Sequence, residues 1–103
     1  MHPFVKDKLD DLITLCRRFH VRKLELFGSA AGANKFDPAT SDLDFLVEFG
    51  DLQAGQHADA YFGLLFALKD LFGREVDLVM PKAIRNKYFL ESINRSRTVV
   101  YAA

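Results

Sequence analysis

Residues 24–49, LELFGSAAGANKFDPATSDLDFLVEF, decide how the chain is read. An apolar run delivers a Gly28-Ser29 turn, a spacer of turn formers covers residues 30–41, and a second apolar run opens with Asp42 and Asp44, one residue apart. Glycine has no Cβ, so backbone at Gly28 can approach a phosphate closely, and Ser29 adds a hydroxyl beside amide donors that open a short helix. On a strand, side chains alternate in direction, which sets Asp42 and Asp44 on one face, roughly 6.6 Å apart along the chain. Two ionised carboxylates brought to about 4 Å repel by about 4 kcal/mol at an effective dielectric near 20. A shared divalent cation removes the conflict. Mg²⁺ suits the site best, because it takes oxygen ligands and is usually held by one or two carboxylates with water and substrate phosphate filling the rest.

The segments on either side give this stretch its setting. Lys23–Phe27 alternates and then runs apolar into the turn, as a strand ending at a site would, and 42–49 reads as a second strand with Leu43, Phe45 and Val47 on one face. From about Ala58, Tyr61, Leu64, Leu65, Leu68, Leu71 and Phe72 mark a helix closed by Gly73, long enough to return the chain for a parallel strand. Phe62 and Phe66 widen its apolar stripe; with Tyr88 and Phe89 they belong either to the core or to an interface. That next strand is 74–80, where Asp77 is an acid inside an apolar run; if it lies beside 42–49, Asp77 joins the pair to give three acids. Val5, Leu9, Leu12, Ile13, Cys16 and Phe19 predict one amphipathic helix over 3–20, and Ala83 to Ile93 a third helix before a last strand at 98–101. The fold class is therefore α/β (α+β), a small mixed sheet of about four strands flanked by three to four helices, in a single domain over 1–103.

Composition narrows the function classes. Formal net charge is zero from 14 basic and 14 acidic residues, so there is no global field to draw the protein onto nucleic acid, and direct nucleic-acid binding is disfavoured. Cys16 is the single cysteine and cannot make an internal disulfide, which suits a reducing cytoplasm. Neither a signal peptide nor a membrane span is expected, because the first residues carry acids and no apolar run approaches eighteen.

The conjunction FGSAAG…DPATSDLDFLVEF resembles the signature of the minimal nucleotidyltransferases of the DNA polymerase β nucleotidyltransferase superfamily: Gly-Ser, a spacer, then Asp-x-Asp. REVDLVMPKAIRN resembles the family's third-carboxylate strand, and YFLESINRSRTVVYAA its closing helix and strand. The resemblance implies two Mg²⁺ ions, with Asp42 and Asp44 bridging both and Asp77 holding the ion nearer the acceptor or taking its proton. It implies that Gly28 and Ser29 fix the β- and γ-phosphates of ATP, so that AMP passes to an acceptor hydroxyl and pyrophosphate leaves. It further implies an antitoxin of a type VII-like module, whose acceptor is a tyrosine of a HEPN ribonuclease toxin. Where relatives carry an Arg before the second glycine, this chain has Ala30-Ala31-Gly32, which cannot grip a triphosphate with paired hydrogen bonds; Lys35 is the nearby cation in reach. That departure keeps open an alternative, an antitoxin that neutralises its partner by binding alone.

Overall fold

The computed structural model describes residues 1–31, 37 and 41–103. Among them, β1 (Val21–Phe27), β2 (Leu43–Phe49), β3 (Val76–Val79) and β4 (Thr98–Ala102) form one mixed sheet in the order β3-β2-β1-β4. β1 runs antiparallel to β2 and β4, and β2 runs parallel to β3. Helix α3 (Gln56–Phe72) makes the crossover that a parallel pair requires. It stops at Gly73, whose φ of +63° suits a left-handed cap and whose N–H donates to the Lys69 carbonyl at 2.8 Å. The strands, the crossover and the cap agree with the sequence reading.

The sheet is covered on both faces. On one, Leu24, Leu26, Phe45, Val47 and Leu78 pack with Leu64, Leu68, Leu12 and Cys16 of the helices. On the other, Phe27, Leu46 and Ile93 form a smaller cluster with Val79 and Ile84, where helix α4 (Lys87–Asn94) lies. β2 is central and buried from both sides, which is why Phe45-Leu46-Val47 is continuously apolar instead of alternating. Burial also pushes the Cys16 thiol up to about 12, leaving it a core hydrophobe. Among the described residues no helix is long and apolar enough to cross a membrane.

Three expectations change, one of them the third helix, which begins only at Lys87 behind an Asn86 cap and is preceded by a separate 3-10 turn at Pro81–Ala83. The helix over 3–20 is instead α1 (Pro3–Lys6) and α2 (Leu9–Arg18). The break at Asp7 and Lys8 lets Phe4 reach Phe72, at 5.7 Å between ring centres, and the Arg74 guanidinium at 4.7 Å, while Leu12 and Cys16 stay fully buried. The aromatics left between core and interface lie on the surface: Phe62 is 52% exposed, Phe66 60% and Tyr88 79%. The buried stripe of α3 is thus narrower than its apolar content, and runs through Ala60, Leu64, Leu68 and Phe72.

One buried charge ties the ends of the fold together. Glu25 of β1 is 4% exposed and accepts two hydrogen bonds from Arg97, from Nε at 2.9 Å and Nη2 at 2.7 Å. These bonds hold the Glu25 carboxyl below the usual carboxylate range. The stability they contribute is present above the unfolded carboxylate value and is lost as pH falls through the lowered one. Arg97→Met is expected to cost about 2 kcal/mol at pH 7, below the value for a fully buried pair because Arg97 is partly solvated and Lys23 remains nearby. Urea unfolding should show that loss, and the gap from wild type should narrow as pH falls below the ordinary carboxylate range.

Candidate active site

The site is built at one end of the sheet, where β1 stops and β2 and β3 begin. In the β2 register Asp44 lies opposite Phe27 on one side and opposite Asp77 on the other. Asp77 therefore sits beside Asp44, the strand pairing on which its joining the acids depends being present, and their side chains hydrogen-bond. Burial, then the bond and charge of Asp77, then the charge of Asp42 push the Asp44 carboxyl up to about 7. Near neutral pH, Asp44 in the metal-free protein takes a proton readily. Asp42 is exposed, just before β2, and reaches the pair through its charge.

Gly28 explains its own identity. Its φ is +75°, and a Cβ built on it would lie 2.5 Å from Asp44 Oδ2. The missing side chain thus makes room for a carboxylate. Ser29 follows, partly exposed, in the 3-10 turn Gly28–Ala30. Lys35 and Gly32 lie outside the described residues.

The pair opens into a cleft of about 480 Å³, with Phe27, Tyr61, Lys69 and Phe89 on its walls beside Asp44 and Asp77. The Tyr61 hydroxyl donates to the Leu78 carbonyl at 2.5 Å, one residue beyond Asp77, and Lys69 Nζ stands 3.5 Å from Glu75 Oε2. The start of β2 is fastened by the Leu43 N–H to the Glu75 carbonyl, at 3.2 Å, and by Arg74 donating to the Ser41 carbonyl. Sequence reasoning missed Tyr61, Lys69 and Arg74 as neighbours of the acids; the first two form an i, i+8 row on α3, which the helical period could have exposed.

The donor set can be tested against a cation. Among the described residues no three His, Cys, Asp or Glu side chains are already gathered close enough to enclose an ion. Two hydrogen-bonded carboxylates with a third acid at charge range still fit Mg²⁺, which keeps several waters and needs only one or two carboxylates from the protein. They do not fit zinc, for which nitrogen or sulfur ligands are usual.

A Gly-Ser turn packed on a carboxylate, with a second acid in register on a parallel neighbour, is the arrangement that the sequence resemblance implies for a nucleotidyltransferase domain. The chain belongs to the nucleotidyltransferase domain family, which its residues 9–100 match. It is 33% identical over 76 residues to the "Putative protein adenylyltransferase" MJ1379 of Methanocaldococcus jannaschii, a span of 74% of this chain and 73% of that one. It is 37% identical over 79 residues to MJ0128 of the same organism, which bears the same description, covering 77% of this chain and 76% of the relative. A solved minimal-nucleotidyltransferase structure superposes with a TM-score of 0.69 at 26% identity, over 91% of this chain and 90% of that chain. A complex of a tri-AMPylated Shewanella oneidensis HEPN toxin with its MNT antitoxin matches with a TM-score of 0.63 over 95% of this chain and 72% of that one. At 18% identity, that last likeness is one of fold.

Proposed function

We propose that the protein transfers AMP from ATP to a hydroxyl of a partner protein, and that the hydroxyl is a tyrosine of a HEPN-type toxin that the modification silences. The observation that carries this reading is the in-register Asp44–Asp77 pair with Gly28 packed on Asp44. The acceptor oxygen attacks the α-phosphorus, the bond to the bridging oxygen breaks, and pyrophosphate leaves. Divalent cations, two by family resemblance, would neutralise the triphosphate and lower the pKa of the acceptor. Asp42, Asp44 and Asp77 are the carboxylates to hold them; Asp77, exposed on the edge strand, is placed to meet an incoming hydroxyl and take its proton. Gly28 and Ser29 set the phosphate turn. The relatives' description as protein adenylyltransferases and the antitoxin complex among the structural neighbours support the acceptor and the partner. Phe62 and Phe66, stacked at 6.5 Å between ring centres, give the partner an apolar surface to cover.

Labelled ATP, Mg²⁺ and a HEPN-type toxin partner should yield covalently labelled toxin, and Asp42→Ala or Asp77→Ala should remove the label. Ala30 and Ala31, where the family resemblance implies an Arg, favour a second reading in which the protein blocks its partner by occupancy. Both variants protecting cells as well as wild type would select that second reading.

A further inference from the structure

The phosphate turn is held from the far end of the chain. The Gly28 N–H donates to Ser96 Oγ at 3.0 Å, across 68 residues of sequence. Ser96 belongs to the short link between α4 and β4, and the link is itself fixed: the Ser96 and Arg97 amides both donate to the Ile93 carbonyl, at 3.1 and 3.0 Å. The next side chain, Arg97, grips Glu25 on β1 with two hydrogen bonds and Asn94 with a third, at 2.8 Å. Glu25 is two residues before Phe27 on the strand that delivers Gly28. Adjacent residues, Ser96 and Arg97, therefore fasten the strand and the turn at its end. The other side of the turn is closed by the His2 N–H donating to the Ala30 carbonyl at 2.9 Å.

We infer that Ser96 is a positioning residue for the triphosphate, acting through Gly28 to hold the Gly28–Ser29 turn at the angle that presents Ser29 to the phosphates. The role rests on the nucleotidyl-transfer reading of the site. Three features carry it. Gly28 has a left-handed backbone that needs a partner to fix it, since glycine explores both signs of φ freely. Its N–H is committed to a side chain instead of to the helix or sheet ladder. A hydroxyl that accepts from an amide keeps its own proton to donate, so Ser96 Oγ can also offer a hydrogen bond.

Calorimetric titration of the full chain separates this role from simple packing. With Mg²⁺ and a non-hydrolysable ATP analogue, Ser96→Ala is expected to weaken binding about tenfold, the effect of about one hydrogen bond, while AMP binding and the melting temperature stay near wild type. Ser96→Thr, which keeps the hydroxyl, should recover most of the affinity. Equal analogue affinity in wild type and Ser96→Ala would overturn the inference, as would a matching loss for AMP accompanied by a lower melting temperature. Failure of wild type itself to bind the analogue would remove the nucleotide site, and with it the role of Ser96.

Discussion

Asp44→Asn is expected to raise the melting temperature of the metal-free protein at pH 8 while abolishing nucleotidyl transfer. The two effects share one cause. Asp44 is half-buried, hydrogen-bonded to Asp77 and within the field of Asp42, and its carboxyl is pushed up to about 7. Because the folded value is raised, the native state binds more protons than the unfolded state between the ordinary carboxylate range and about 7. Stability therefore falls as pH rises through that window, and the deficit persists above it. Asn carries no charge and can donate a hydrogen bond to Asp77, so the gain should be on the order of 5 °C at pH 8, allowing for solvent screening, and should vanish toward pH 4. Mg²⁺ relieves the same repulsion, so it should raise the wild-type melting temperature more at pH 8 than at pH 5.5, and should do so weakly in the variant. The activity loss should reach at least about a thousandfold, because cation stabilisation of the phosphoryl transition state is worth several kcal/mol and each 1.4 kcal/mol is tenfold. Scanning calorimetry at two pH values decides the matter: an Mg²⁺ response that ignores pH would show that the pair does not hold the ion.

Site and fold were legible in the sequence to different depths. Local pattern assigned Asp44 and Asp77 each to a face of its own strand, and the length of the intervening helix implied a parallel connection, but that the two strands are neighbours, so that the acids meet, comes from the fold. Gly28 was legible as a necessary glycine, but its reason was not: the atom that excludes a Cβ belongs to Asp44, on another strand. The break between α1 and α2 was hidden because Val5, Leu9 and Leu12 keep a helical spacing through it, and only the pull of Phe72 and Arg74 on Phe4 shows why the chain turns there. The surface position of Phe62 and Phe66 was beyond composition, since an apolar stripe reads the same whether a sheet or a partner covers it. Ser96 had no local signal, because a hydrogen bond spanning 68 residues leaves no trace in spacing.

Gly28→Ala is expected to destabilise the fold by about 3 kcal/mol and to remove activity, and the two parts of that cost can be separated. A φ of +75° strains any L side chain by roughly 1–2 kcal/mol, wherever the neighbours are. The second part comes from Asp44, whose Oδ2 would stand 2.5 Å from the new Cβ and must swing away. That swing pulls Asp44 from Asp77, and displacement of a reacting group by about 1 Å costs on the order of a hundredfold in rate. In an Asp44→Ala background the obstructing carboxylate is gone, so Gly28→Ala should there cost only the strain, about 1–2 kcal/mol. The double-mutant cycle should accordingly show a coupling of 1 kcal/mol or more between two residues about 16 positions apart in sequence. Additive costs in urea unfolding would mean that Gly28 and Asp44 do not touch, and the turn would then have to be supported by Ser96 and His2 without the carboxylate.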